Sequence, residues 1–257
     1  MSTQLLIYGD VQPINKQRHA DWSVKAGNQY GFAQAVNSVP LMAVEFPNAA
    51  EEYCVVFAGE GDNILPVVLM GVREGENLYV DEEGQWSANY IPAFLRRYPF
   101  VFSSADDGAT LTLCIDEGFD GCNAEGRGEK LFDSEGEQTQ YLNSVLDFLK
   151  EYQVHYQRTK AFAQKMLELD LLEPMGAQFT TPAGEKRTVT GFQAVNREKL
   201  KALAPEVFAA LAKTDELELI YVHLQSMRNF TKMLEKVSGS SKVMLTPETS
   251  EAEEAKH

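Results

Sequence analysis

"YCVVFAGEGDNILPVVLMGV", residues 53–72, sets two runs of β-branched and apolar residues on either side of the turn-forming "EGDN". Short apolar runs bounded by Gly, Asp and Asn read as paired strands, because they are too short for a buried helix and their punctuation suits a reversal. "NLYVDEEGQW" (77–86) continues after another Gly-containing break, and "FVFSS" with "TLTLCID" (110–116) follows around "ADDGA". Residues 30–116 therefore predict an antiparallel meander with one buried face.

Downstream the period changes. From Thr139, Leu142, Val145, Leu146, Leu149 and Tyr152, then Tyr156, Phe162, Met166, Leu167 and Leu171, recur at spacings that suit a helix. They predict one long helix to about Leu172, broken at most once. Residues 176–196 predict a β-hairpin around "PAGE". "REKLKALAPEVFAAL" predicts a helix with Asn196 as N-cap and Pro205 as a splitting point. "ELELIYVHLQSMRNFTKMLEKV" (216–237) alternates at Leu217, Leu219 and Tyr221 and then takes helical spacing, which predicts a change from strand to helix near His223. The glycine- and charge-rich stretch 117–136 predicts a long loop anchored by Leu131 and Phe132. The small, polar and acidic tail 238–257 is expected to be disordered. The fold class is α+β, with an antiparallel β-rich N-terminal half (30–116) packed with a helical C-terminal half (139–237) that contains a β-hairpin, in one interlocked domain over 1–237.

The 257 residues hold 23 Lys plus Arg against 38 Asp plus Glu, a net charge of -15. That field repels nucleic acid and anionic lipid, and no basic run exceeds two residues. The longest apolar stretches fall short of the roughly 20 residues that span a bilayer. The N-terminus has no signal-peptide pattern, so the chain is expected in the cytoplasm. Three cysteines make no complete disulfide framework: Cys54 and Cys114 sit in strand-like runs, and Cys122 in the glycine-rich loop is the one candidate for a reactive thiol.

Tests for local chemistry fail one after another. Asp116, Asp120, Gly121 and Asn123 resemble a calcium loop, but a loop begun at Asp116 puts Gly118 at its third position and Arg127 where a bidentate Glu is required. His19, His155, His223 and His257 are scattered, and no Cys/His spacing suits zinc, so no metal is assigned. "AGEGDN" lacks the third glycine, the Lys-Ser/Thr pair and the helix of a phosphate loop, and no cofactor is expected. His223 and Ser226, three residues apart, could act as base and nucleophile, against a reading in which both satisfy backbone groups. Glu45, between Val44 and Phe46, is the carboxylate whose setting suggests burial.

"NYIPAFLRRYPFVF" (89–102) places Arg96 and Arg97 at the end of a short helix between Pro92 and Pro99, where cations suit the helix dipole. One of the two should point inward, either to an ion pair with Glu45 or Asp116 or to recognition of an anion. The candidate binding residues are Arg96, Arg97, Glu45, His223 and Tyr98.

In order along the chain, "AVNSVPLMAVEFPNAAEEYCVVF", "YIPAFLRRYPFVF", "LCIDEG", "LFDSEGEQTQYLNSVLDFL", "GFQAVNREKLKAL" and "LIYVHLQSMRNFTKML" together resemble the bacterial SapC family across residues 30–235. That family takes its name from bacterial surface layers and is distinct from the peptide-transporter permease of the same name. The resemblance implies company with halogenase-like proteins, cupin-like oxygenase-like proteins and outer-membrane receptors, and it supplies no catalytic residues. The expectation is a soluble accessory protein that binds a protein or peptide, through the surface around Arg96 and Arg97 and the loop Gly118–Gly136. Two alternatives remain open: an enzyme with a dispersed site of Glu45, Arg96 or Arg97 and His223 acting on a small acid or peptide, and a surface-layer component.

Overall fold

A computed structural model describes residues 6–25, 27, 29–105, 110–180, 186–238 and 243–247. The two runs that open the sequence argument form strands β4 (Cys54–Ala58) and β5 (Leu65–Leu69), paired antiparallel from Cys54 opposite Leu69 to Ala58 opposite Leu65. The first strands are β1 (Val11–Pro13), β2 (Ser23–Val24) and β3 (Ser38–Pro40), with helices α1 (Lys16–His19) and α2 (Phe46–Ala49) among them. Helix α3 (Ala93–Arg96) precedes β6 (Phe100–Ala105) and β7 (Thr110–Asp116), and β8 (Cys122–Asn123) and β9 (Glu129–Lys130) follow. The second half comprises α4 (Gln140–Glu168), the hairpin β10 (Leu172–Thr180) and β11 (Lys186–Val195), then α5 (Arg197–Lys201), α6 (Pro205–Lys213), α7 (Glu216–Ser226), α8 (Asn229–Ser238) and β12 (Val243–Pro247).

These strands make an α+β molecule with a six-stranded antiparallel sheet in the order β12-β10-β11-β4-β5-β3. Two three-stranded sheets accompany it, β1-β7-β6 and β8-β2-β9. The hairpins of the two sequence halves thus join edge to edge, Phe57 of β4 opposite Gln193 of β11. The meander reading is corrected on two counts. First, β6 and β7 leave the main sheet to pair with β1, and "NLYVDEEGQW" supplies only the isolated bridge of Val80 with Trp86 and that of Gln85 with Gln29. Second, the main sheet is buried on both faces. Val55, Phe57, Val68 and Met70 pack with Phe162, Ala163 and Met166 of α4 and Ile220 of α7, while Cys54, Val56, Val67 and Leu69 pack with Phe192 and with Phe230 and Met233 of α8. Burial on both faces is why these strands read as continuous apolar runs.

The long helix is unbroken over 29 residues, roughly 44 Å at 1.5 Å per residue. Thr139 caps it by accepting from the Leu142 N–H at 3.3 Å. Its first turns (Leu142, Leu149) cover the small β1-β7-β6 sheet, and its last turns cover the main one. Asn196 caps α5 by accepting from the N–H groups of Glu198 and Lys199, both at 2.9 Å, and Pro205 starts a separate helix.

Three further expectations are corrected. The stretch 216–226 is helical throughout: its buried residues are Ile220, His223 and Ser226, an every-third-residue stripe that two polar side chains concealed. The loop 117–136 contains β8 and β9, which flank β2 nearly a hundred residues upstream, with Leu131 and Phe132 buried as anchors. Within the tail, Val243–Pro247 pair with β10 from Phe179 to Met175, because "VMLTP" supplies apolar residues for the sheet edge. The rest of that tail lies outside the described residues, as does the "PAGE" turn. Among the described residues no helix is long and apolar enough to cross a membrane.

Candidate functional site

Consecutive helical residues point about 100° apart, so the arginine pair must split. Arg97 turns inward and is 3% exposed, its guanidinium 4.4 Å from the ring centre of Phe94, 4.8 Å from Tyr152 and 5.6 Å from Tyr8. A delocalised cation enclosed by rings retains favourable electrostatics after losing water. Burial pushes the Tyr8 phenol up to about 12 even though Arg97 pulls it the other way. Arg96 turns outward, donates from Nε to the Ile91 carbonyl at 2.9 Å and lies 5.5 Å from the Phe148 ring centre and 6.0 Å from that of Tyr90.

The two candidate carboxylates, Glu45 and Asp116, each organise backbone N–H groups. Glu45 is buried at the end of a short 3-10 turn, Ala43–Glu45. Its Oε2 accepts from the Met42 N–H at 2.9 Å, and its Oε1 from the Tyr90 hydroxyl and the Ala93 N–H, both at 2.7 Å. It therefore caps its own turn and the start of α3 at once. Asp116 accepts from Gly9 N–H at 2.8 Å, Asp10 and Gly118 N–H at 3.0 Å and the Tyr98 hydroxyl at 3.3 Å. Burial first, and then this carboxylate, hold the Tyr98 phenol well above its usual range. Among the described residues no group of three or more His, Cys, Asp or Glu is placed to hold a metal ion.

His223 stands apart from the arginines. It is wholly buried, donates from Nδ1 to the Val55 carbonyl at 2.7 Å and accepts at Nε2 from the Val195 N–H at 3.0 Å. Ser226 accepts from the Val55 N–H at 3.0 Å and donates to the His223 carbonyl at 2.7 Å. Both side chains serve backbone groups at the junction of β4 and β11, and burial drives the imidazole down to about 4, so it is neutral at physiological pH. Cys122, half-buried with its Sγ donating to the Asp116 carbonyl, has its thiol pushed up to about 12 by burial first and by Asp116 and Glu117 second, which leaves it protonated.

What the fold does assemble is a groove. One cavity of about 340 Å³ is lined by Tyr30, Phe32, Arg96, Tyr98, Tyr141 and Phe148. A second, of about 560 Å³, is lined by Lys25, Phe32, Tyr98, Phe119, Asp120 and Arg127. They share Gly27, Gln29, Phe32, Tyr98 and Phe119, so they form one depression with a common aromatic wall. In that wall Phe32 stacks on Tyr98 with ring centres 4.2 Å apart, and Phe119 meets Tyr98 edge-on at 5.3 Å. A third cavity of about 290 Å³ lies on the other side of Arg96 and Phe148, lined also by Val44, Glu45 and His155. Arg96, Tyr98 and the 118–127 stretch thus come together, Arg97 backs the groove, Glu45 and Arg96 line the third cavity together, and His223 lines none of these three cavities. Sequence reading missed Tyr30, Phe32, Phe119, Tyr141 and Phe148. They come from three separate segments, the stretch 30–32, the loop after Asp116 and α4, and no local motif links them.

A family model described as SapC matches residues 14–233. The chain belongs to the SapC family. The matched span includes every groove residue named above and both arginines, and it stops short of β12. Comparisons with curated proteins and with solved structures give no match.

Proposed function

We propose that this SapC-family chain is an accessory protein of the cytoplasm that recognises a protein or peptide partner through the groove beside Arg96. The supporting observation is the convergence of partly exposed aromatic rings from four segments beside the exposed guanidinium of Arg96. Rings left accessible in a concave surface offer apolar contact area at small entropic cost, and arginine adds directional hydrogen bonds, the composition that dominates protein recognition sites. Halogenase-like, oxygenase-like and outer-membrane receptor systems are the partner classes suggested by the family's company. A dispersed active site is disfavoured by His223, whose two ring nitrogens are both engaged by backbone away from Glu45 and Arg96.

The test is capture from native lysate of the producing cell with the wild type, Arg96→Gln and Phe119→Ser, each first shown to be folded by thermal melting. A partner bound by the wild type and lost by both folded variants supports the reading. A partner retained by both variants, or no partner at all, sinks it.

A further inference from the structure

The molecule carries a net charge of -15, yet its groove is cationic. Lys25, Arg96 and Arg127 line the two joined cavities at exposed positions, and among the described residues Asp120 is the one carboxylate that does so. Arg127 is paired with Glu125 at 2.8 Å. Among the described residues neither Lys25 nor Arg96 stands within ion-pair distance of a carboxylate; Arg96 gives its Nε to the Ile91 carbonyl, and its guanidinium also interacts with the Tyr90 side chain. In a chain where acidic residues outnumber basic ones, a depression that gathers cations focuses a positive field against the surrounding surface. It selects anionic groups from solution while the rest of the molecule repels them.

The cations flank a wall of stacked rings instead of forming a patch. Phe32, Tyr98 and Phe119 face both cavities, with Arg96 on one side and Lys25 on the other. A ligand that fills the groove therefore needs apolar or aromatic surface in its middle and negative charge towards both ends. Two cavities adjoin along one aromatic wall, an arrangement that suits a chain in extended conformation whose successive side chains diverge. Resting on the partner-recognition reading above, we propose that the groove binds an extended acidic peptide segment, with an aromatic side chain against the Phe32–Tyr98–Phe119 wall and a carboxylate on Arg96. The bidentate fork of arginine matches a carboxylate, and a ring packed against that wall excludes water from the contact.

The experiment uses the full chain and fluorescein-labelled octapeptides read by anisotropy. One probe alternates Glu with Phe, one alternates Lys with Phe, and one alternates Glu with Ser. A labelled thymidine oligonucleotide supplies anionic charge with stackable rings in a different backbone. The expected result is binding of the Glu-Phe peptide that weakens about tenfold or more with either of the other peptides, with Arg96→Gln, and with Phe119→Ser, a factor on the scale of one charge-assisted hydrogen bond. Added salt should weaken it as well. Equal binding of Glu-Phe and Lys-Phe peptides, tighter binding of the oligonucleotide, or no binding of any peptide overturns the proposal. The two readings fail separately. A lysate partner lost by both groove variants, with no octapeptide bound, leaves partner recognition standing and removes the acidic peptide. A lysate partner indifferent to both variants removes partner recognition itself.

Discussion

His223 offers the sharpest test of how the two sequence halves are held together. Its imidazole can donate to Val55 and accept from Val195 only while it is neutral, because a second ring proton would face the Val195 N–H. An unfolded chain titrates this residue near 6.5, whereas burial holds it at about 4 in the fold. The folded pKa is depressed, so between these values the unfolded chain binds a proton that the folded chain refuses. Stability is then fully present above pH 6.5 and declines as the pH falls towards 4. At roughly 1.36 kcal/mol per pKa unit the whole window is worth about 3 kcal/mol, and about 1.5 kcal/mol of it is lost between pH 7.5 and 5.5. Working at pH 5.5 keeps the sample above its sequence pI of about 4.7. Urea unfolding of the wild type and of His223→Gln at both pH values isolates the effect, since glutamine retains a donor and an acceptor but does not titrate. The wild type should lose about 1.5 kcal/mol more than the variant on acidification. Equal losses would refute the argument, because they would mean that protonation leaves the Val55 and Val195 contacts intact.

The arginine pair should divide by stability: Arg97→Ala is expected to cost roughly 2–4 kcal/mol through lost packing and ring contacts, and Arg96→Ala within roughly 0.5 kcal/mol, both read from urea midpoints. Similar costs for the two would contradict their opposite orientations. Glu45→Ala strips the acceptor from the Met42 and Ala93 N–H groups and the Tyr90 hydroxyl, so a loss of about 3 kcal/mol or more is expected in the same assay. Cys122 should react with a thiol reagent at pH 8 at least tenfold slower than a cysteine in the urea-unfolded chain, because the thiolate is scarce; an equal rate would show the thiol to be activated.

Elements governed by local rules were legible before any coordinates. The β4–β5 and β10–β11 hairpins announced themselves by apolar runs around turn residues, α4 by its period, and α5 by the Asn196 cap. The inward and outward split of Arg96 and Arg97 followed from helix geometry, but the aromatic enclosure of Arg97 did not, since it draws on Tyr8 and Tyr152 from distant segments. Helix α7 was misread because polar His223 and Ser226 occupy its buried stripe and leave Leu217, Leu219 and Tyr221 as the visible pattern. Strands β2, β8 and β9 are two residues each, too short to express an alternation, and their pairing depends on residues far apart in the chain. The groove was half visible: the sequence pointed to Arg96, Tyr98 and the loop after Asp116, while the rings opposite them become neighbours only through the fold.

The junction of β4 with β11 also sets an order of events for a ribosome. His223 meets Val55 across 168 residues of chain, so the edge of β4 that will receive β11 emerges long before its partner has been synthesised. During that interval the nascent chain presents an apolar strand with unpaired backbone groups, the kind of surface on which neighbouring chains pair. A fragment that ends before the second hairpin keeps that edge open permanently and is expected to accumulate as aggregate, whereas the full chain closes it with its own last third.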